Sequence, residues 1–282
     1  MNVSYHVSKA TPRWVLLALM VAVVATACDK EKAEGEAPST SGEQEADAGE
    51  EEEAPTGPAR LTLVHGGVGV DALRVLVNGK PLEEVEPIKP FSGKPGSAEI
   101  PAGSLLLAVA PPPVDDSPSA VQPPPLVTKP VTLTAGASYL VLVAGVYGER
   151  AREDRPLSLF VVPEEGPAEI ESGKTLLRVV HGAANAPPLD VTSSRAGDDS
   201  ALALVNVGFG KASAFHPVSA GPELLEFRSG LDASAAPIYA AQNAVLAPDT
   251  RTTLLLLGKS GSEEHPLRLW LWTPGSETAR AL

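Results

Sequence analysis

The chain has 282 residues, which is room for about two domains of ordinary size. Apolar residues make up 43% of it and aromatic residues only 4%, so its cores must consist mainly of Leu, Val and Ala. The formal charge of -13 excludes a nucleic-acid-binding protein, because no basic stripe offsets the repulsion from phosphates. The 28 prolines argue against long helices and favour short strands joined by stiff loops.

Residues 1–27 have the organisation of a signal peptide. Lys9 and Arg13 precede an apolar run at 14–27, and the only cysteine of the chain, Cys28, follows it. The run is shorter than the roughly 20 apolar residues that a membrane-spanning helix needs. We therefore expect cleavage directly before Cys28.

The sequence Ala-Thr-Ala-Cys at 25–28 resembles a bacterial lipobox, in which cleavage frees an N-terminal cysteine for acylation. It departs from the usual pattern at Ala25, where Leu is common. The resemblance implies that Cys28 carries diacylglycerol and an amide-linked chain such as palmitate, and several chains together hold a protein stably on a membrane. The alternatives are plain secretion with cleavage at the same bond, and a cysteine placed there by chance. We predict a membrane-anchored envelope lipoprotein.

Residues 28–59 are predicted to form a disordered acidic linker. Residues 29–58 hold eleven Asp or Glu and two Lys, a net charge of -9, and contain no aromatic or long aliphatic residue. Such a segment cannot bury enough apolar surface to offset the entropy that it loses on ordering. The acidic run at 50–53 has an alternative interpretation as a cation or partner site, but a solvated spacer explains it more simply.

The rest of the chain contains an internal duplication, in which five sequence blocks recur in the same order at a nearly constant offset. The blocks begin with LTLVH (61–65) against LRVVH (177–181) and end with PLSLFVVP (156–163) against PLRLWLWTP (266–274). The duplication predicts a first module at 60–165, a hinge at 166–174 and a second module at 175–282.

The repeated blocks have the composition of β-strands, since they are short, rich in Val, Leu and Thr, and bounded by Gly, Pro, Asn and Asp. A strand at 73–77 followed by Asn78 and Gly79 indicates a hairpin with a type I′ turn. The runs at 140–144 and 254–257 are apolar on both faces, as central strands are. Parallel α/β folds need helical stretches between strands, and the sequence has none. The prediction is an all-β protein with two tandem antiparallel, immunoglobulin-like β-sandwiches.

Residues 176–191, LLRVVHGAANAPPLDV, resemble the opening of a bacterial extracytoplasmic family, the domain of unknown function 4397. The resemblance continues through FGKASA at 209–214 and the strand after LAPDT at 246–250, so it spans most of the second module. The first module is less similar, with Gly-Val-Gly at 67–69 in place of the Pro-rich turn. The resemblance implies an exported module, often in tandem, with no established activity and no site residues to carry over.

The motifs of catalysis and of metal or cofactor binding are missing. Gly-Lys-Thr at 173–175 resembles the end of a phosphate-binding loop, but Ala168 stands where that loop requires glycine. His65 and His181 are repeat equivalents, so we interpret each as structural, donating to a nearby backbone carbonyl, because a metal needs three or four converging ligands. His181 with Asp190 would suit a nucleophilic triad, yet no Gly-x-Ser-x-Gly elbow supplies the serine. We predict no enzyme, no cofactor and no metal.

The last strand of the second module supplies the one candidate binding surface. Arg268, Trp270 and Trp272 alternate with three leucines, so the tryptophans share one face and the leucines the other. Two bare tryptophans would expose about 300 Å² or more, comparable to the largest apolar patch on a typical monomer. Three covers are open: a loop of the same module, the first module across the hinge, or an outside partner. The third would make these three residues a partner-binding site.

Together these features predict a non-catalytic, lipid-anchored protein of the bacterial envelope that displays two β-sandwich modules for binding or structural contact. The expected partners are the membrane, through the lipid, and an envelope protein or glycan. One alternative is a purely structural spacer. Another is a hydrolase of unrecognised type, which would require convergent titratable groups.

Overall fold

A computed structural model describes residues 57–114, 121–148, 155–194, 202–232 and 234–282. The predicted signal peptide, Cys28 and nearly all of the acidic linker lie outside the described residues. Within the described ranges every regular element is a β-strand, which confirms the all-β prediction. No helix long and apolar enough to cross a membrane occurs in these ranges.

The first module contains eight strands in two sheets. They are β1 (Ala59–Val68), β2 (Arg74–Val77), β3 (Lys80–Pro81), β4 (Gly96–Ile100), β5 (Gly103–Ala110), β6 (Val127–Leu133), β7 (Ser138–Val146) and β8 (Ser158–Pro163). One sheet has the strand order β4-β1-β7-β8 and the other β3-β2-β5-β6. Between them lies a core of Leu, Val, Ile and Ala with a single aromatic residue, Tyr139, as the composition requires.

The second module contains nine strands. They are β9 (Lys174–Ala184), β10 (Leu189–Ser194), β11 (Leu202–Val207), β12 (His216–Ser219), β13 (Gly221–Ser229), β14 (Tyr239–Leu246), β15 (Thr250–Lys259), β16 (Arg268–Trp272) and β17 (Arg280–Ala281). Its sheets have the orders β12-β9-β15-β16-β17 and β11-β10-β13-β14. The first matches β4-β1-β7-β8 strand for strand, with β17 added at its edge. The structure therefore contains two tandem sandwiches.

One strand pair in each module is parallel, a detail that the prediction of antiparallel sandwiches did not include. β1 runs parallel to β7, with His65 opposite Val143, and β9 runs parallel to β15, with His181 opposite Leu256. The first strand can meet a late strand in this direction because the chain crosses to the other sheet and back between them. Hydrophobic alternation fixes which face of a strand is buried but not the direction of its partner.

The hairpin between β2 and β3 has the predicted turn. Asn78 and Gly79 both take positive backbone angles, φ 50° and φ 80°, as a type I′ turn requires. The Asn78 side-chain oxygen also accepts a hydrogen bond of 2.8 Å from the Leu106 amide, which ties the turn to β5. The turn and its neighbouring strand therefore fix the register of this sheet.

A third core lies between the modules. The inner sheets, β4-β1-β7-β8 and β12-β9-β15-β16-β17, bury side chains on both of their faces. The second faces meet in a cluster formed by Leu140, Leu142, Ala144, Val162, Val180, Leu255, Leu257 and Trp272. The apolar runs at 140–144 and 254–257 are thus central strands, and their second face is buried against the other module. The described residues belong to one compact unit that contains all four sheets.

Candidate functional site

The alternation predicted for β16 is present, and both of its faces are buried. Leu269 is fully buried in the second module's own core, and Leu267 and Leu271 pack against the same core. Trp270 and Trp272 point the other way, into the cluster between the modules. This strand therefore joins the core of its own module to the first module.

The tryptophans are covered from within the chain. Trp272 is 0% exposed, and its indole nitrogen donates a hydrogen bond of 3.1 Å to the Ser276 carbonyl. Trp270 lies over the loop at Gly93 of the first module, where a Cβ atom would come within 2.6 Å of the ring. Of the three possible covers for the tryptophans, the structure shows two. These are the first module and a loop of the same module, the segment that follows β16. Arg268 is exposed beside them, so the tryptophan face predicted as a possible partner-binding site with Arg268 is largely covered within the chain.

The two modules contact each other through equivalent strands. Strand order makes β1 equivalent to β9 and β7 equivalent to β15. Between the modules, β1 contacts β15, β9 contacts β7, and β7 contacts β15. The first two contacts are counterparts of each other, and the third is its own counterpart, as in an isologous dimer interface. The junction is the intrachain version of such an interface.

Each module inserts one aromatic ring into a glycine loop of the other. Phe160 on β8 lies opposite Leu142, and Trp270 on β16 lies opposite Leu255, so the two rings occupy equivalent positions. Trp270 packs against Gly93, and Phe160 packs against Gly210 so closely that a Cβ there would overlap the ring. Both glycines also have positive φ, 65° and 72°, where glycine is the least strained residue. These loops accept the rings because they carry no side chain at that point.

The surroundings of the two rings differ. Phe160 meets Phe209 edge to face, with ring centroids 5.3 Å apart, and the guanidinium of Arg155 lies 5.0 Å from the centroid of Phe209. At the other end, the Ala279 amide donates a hydrogen bond of 2.7 Å to the Gly93 carbonyl, so the C-terminal segment closes over Trp270. Within the described residues, no later segment of the chain covers Phe160 in the same way. Among the described residues, one end of the junction is therefore closed and the other is open.

The open end forms a groove of about 570 Å³. A cavity beside Trp270 at the other end has a volume of only about 20 Å³. The side chains that give the open groove its character are Lys129, Phe160, Glu165, Arg178, Lys211 and Phe215. Three cations and one carboxylate make it locally positive in a chain of net charge -13. A volume between about 300 and 1,000 Å³ is usual for a small-molecule site. We call this feature the junction groove.

Arg178 is the buried charge of the junction groove. It is 2% exposed and lies on β9, on the face that meets the first module. Its Nε donates to the Thr253 hydroxyl at 2.9 Å and its Nη1 to the Pro163 carbonyl at 2.7 Å, which links the two modules. Its guanidinium also lies 4.6 Å from the centroid of the Phe215 ring. Nη2 is buried and has no hydrogen-bond partner among the described residues. An unmet donor of this kind costs about 1–3 kcal/mol.

Glu164 acts electrostatically on Arg178 but forms no salt bridge with it in the described part of the chain. Burial raises the pKa of Glu164 to about 7, against smaller lowering effects of Arg178 and Arg60. Burial likewise lowers the pKa of Arg178 to about 10, and Glu164 only partly opposes this. Glu164 Oε1 is also without a hydrogen-bond partner in the described part of the chain. A buried arginine and a partly buried carboxyl group, each with one unpartnered atom, therefore lie at the same end of the junction.

The equivalent histidines are buried and neutral. His181 Nδ1 accepts a hydrogen bond of 3.3 Å from the Ala183 amide, so the ring proton lies on Nε2, 3.1 Å from the Pro187 carbonyl. His65 Nδ1 accepts a hydrogen bond of 3.1 Å from the Gly67 amide. Its Nε2 has no hydrogen-bond partner among the described residues. Burial lowers the pKa of both rings to about 4. The expected donation to a backbone carbonyl thus holds for His181.

The remaining sequence candidates contribute no site. Gly-Lys-Thr at 173–175 opens the strand β9 instead of a helix, as expected. The described residues contain no group of three His, Cys, Asp or Glu able to hold a metal ion. Sequence reasoning missed Arg178, although a single charge inside the apolar run Leu-Leu-Arg-Val-Val at 176–180 was a usable signal. The phenylalanines and lysines of the junction groove are not marked by any sequence pattern, because only the packing of the two modules brings them together.

Comparison with known families gave one match. Residues 59–192 match the family model described as domain of unknown function DUF4397, which confirms the predicted resemblance. The match covers the whole first module and ends within β10 of the second. This differs from our expectation that the second module would match better. A search of curated proteins found no match.

Proposed function

This chain carries a DUF4397 domain over residues 59–192, and from this premise we propose that it is a non-catalytic, lipid-anchored protein of the bacterial envelope that binds a ligand between its two modules. The observation that supports binding is the open, positively charged junction groove, with a buried arginine that is incompletely satisfied. The support for anchoring is the signal-peptide pattern that ends at Cys28.

In this proposal the acidic segment at 29–58 separates the folded unit from the membrane. Its net charge of -9 keeps it solvated. The folded unit then presents its groove to envelope proteins or glycans on the periplasmic or outer side.

Anchoring is tested by Cys28→Ser in the full chain expressed in a bacterial host. We expect the wild type to partition into the detergent phase of a phase-separation extraction and the variant to move to the aqueous phase. Ala25→Leu, which makes the lipobox more typical, is the matched control. We expect this variant to partition into the detergent phase, as the wild type does. A wild type found in the aqueous phase would exclude the lipid anchor.

A purely structural spacer is the competing function, and the fused modules favour it too, because two sandwiches with a common buried core form a stiff unit. A glycan array together with a pull-down from envelope extract separates the two. Binding predicts ligands that the wild type retains and that a variant with Lys129→Glu and Lys211→Glu loses. A spacer predicts the same result for both proteins.

A further inference from the structure

The internal duplication provides a comparison that isolates what is special about the junction groove. Phe160 and Trp270 occupy equivalent positions, as do the Gly-Lys pairs of their loops, Gly210 with Lys211 and Gly93 with Lys94. Beside Trp270 and Gly93 the structure leaves a cavity of only about 20 Å³. Beside Phe160 and Gly210 it leaves a groove of about 570 Å³. Among the described residues, the larger space therefore lies at the Phe160 end.

Arg178 is also specific to the open end. The alignment of LTLVH at 61–65 with LRVVH at 177–181 places Thr62 at the equivalent position of the first module. Both residues are buried, but only Arg178 carries a charge, and no carboxylate within the described ranges forms a salt bridge with it. Guanidinium groups recognise carboxylates through charge-assisted hydrogen bonds. The groove thus contains a guanidinium that has no salt-bridge partner among the described residues.

The other groups of the groove add an apolar surface and a second and third cation. Phe160 and Phe215 are both partly exposed along it, and Lys129 lies 5.9 Å from the centroid of Phe160. Lys211 is exposed at its rim. Flat apolar groups pack well on phenyl rings, while the lysines favour negative charge. The combination of charge and rings suits a ligand with both properties.

We propose that the junction groove binds a small carboxylate that carries a flat apolar group. The carboxylate is attracted by the guanidinium of Arg178, which lines the groove, and by Lys211 and Lys129, while the flat group lies against Phe160 and Phe215. This inference rests on the proposed binding function and names its ligand class. It fails separately from the lipid anchor, which concerns Cys28 alone.

The test is calorimetric titration of the full chain with 2-naphthoate as the probe. Two matched probes separate the contributions: 2-naphthalenemethanol has the same ring system without the charge, and acetate has the charge without the rings. We expect 2-naphthoate to bind at least about tenfold more tightly than either, and its affinity to fall as salt is added. Equal binding of the alcohol, or no binding of 2-naphthoate up to about 10 mM, would overturn the proposal.

Variants locate the site. Arg178→Met keeps the length of the side chain and should weaken 2-naphthoate binding about tenfold or more. Lys211→Met, on the exposed rim, should weaken it about threefold, and Lys94→Met at the closed end is the matched control with no effect. If Arg178→Met fails to fold, the double variant Lys129→Met with Lys211→Met decides the matter, because both side chains reach solvent. Unchanged affinity in that variant would place any naphthoate binding elsewhere.

The alternative explanation of the two unsatisfied charges is a water or small ion held between Arg178 and Glu164. Glu164→Gln distinguishes the two, since it removes the opposing charge. Our proposal expects Glu164→Gln to bind 2-naphthoate as tightly as the wild type or more tightly, because the carboxylate then competes with no neighbour. Loss of naphthoate binding in this variant would mean that the ligand depends on Glu164, contrary to the proposal.

Discussion

The two modules have the same strand order in their inner sheets and equivalent contacts across their junction, but they fill the ends of that junction differently. The second module contributes Trp270 and Trp272 where the first contributes Phe160 and Val162. The second module also adds β17. The segment that leads into it, at Ala279, bonds to Gly93 and closes the Trp270 end of the junction. A duplicated unit can therefore keep the interface that stabilises it, while a larger ring and one extra strand close one end of that interface and leave a groove at the other.

The largest effect is expected from truncation at the equivalent positions of Trp272 and Val162. Trp272 is fully buried between the modules, so Trp272→Ala should lower the free energy of unfolding by about 3–5 kcal/mol. Val162→Ala removes two methyl groups and should cost about 2 kcal/mol or less. Urea denaturation followed by circular dichroism measures both. Equal costs would mean that the second module's ring contributes no more to the junction than the first module's valine.

The glycine loops should give the next largest effect. Gly210→Ala places a methyl group against the Phe160 ring at a positive φ of 72°, and we expect a loss of about 3 kcal/mol from strain and overpacking together. Gly173 has a similar φ of 77° with no atom within 4 Å of an added Cβ, so Gly173→Ala should cost only about 1 kcal/mol. Thermal and urea unfolding of both variants check this.

A double variant tests whether the ring causes the difference. Phe160→Leu together with Gly210→Ala should cost less than the sum of the two single changes, because the smaller side chain makes room for the methyl group. Additive costs would show that the Gly210 loop is constrained by something other than the ring of the opposite module.

The pH dependence of stability should reflect the two buried histidines and Glu164. The folded-state pKa of His65 and of His181 is lowered to about 4 from 6.5. The unfolded chain therefore binds protons first as the pH falls below 6.5, and stability is lost between about pH 6.5 and 4. From pH 7 to pH 5 each histidine should account for about 2 kcal/mol.

Glu164 acts in the opposite direction. Its folded-state pKa is raised to about 7 from 4.5, so stability falls as the pH rises from about 4.5 to 7, and this offsets the effect of roughly one histidine. His181→Gln should flatten the loss of stability between pH 7 and 5, and Glu164→Gln should steepen it. Urea midpoints at several pH values between 5 and 8 measure both slopes. A steeper loss in His181→Gln would contradict the lowered histidine pKa.

Much of this architecture could be predicted from the sequence, because β-structure leaves local signals. The turn at Asn78 and Gly79, the two-faced strands at 140–144 and 254–257, and the alternation in β16 all follow from side-chain periodicity and from glycine's backbone freedom. The repeat then gave the number of modules. Periodicity also required a cover for Trp270, since its face could not belong to the module's own core.

What periodicity could not predict is which surface provides that cover. The fit of Trp270 over Gly93, and of Phe160 over Gly210, depends on the angle and distance between two modules that are far apart in the chain. The parallel pairing of β1 with β7 has the same origin. The junction groove follows from both, so its lysines and rings had no pattern in the sequence, and only Arg178 stood out as a charge in an apolar strand.

The smallest effect is expected where the modules differ on an exposed surface. Arg60 on β1 pairs with Glu99 on β4 at 2.7 Å, whereas the equivalent strands of the second module place Leu176 opposite Pro217. Because the side chains of the ion pair are 61% and 55% exposed, water screens the attraction and a double-mutant cycle with Arg60→Ala and Glu99→Ala should give a coupling of about 0.5 kcal/mol or less. Arg60 also helps to lower the pKa of Glu164, so Arg60→Ala alone should raise that pKa slightly. At pH 8 the free energy of unfolding of Arg60→Ala should therefore be slightly lower than that of Glu99→Ala. A coupling above about 1 kcal/mol would show that this edge of the first module is held by its charges rather than by its buried leucines.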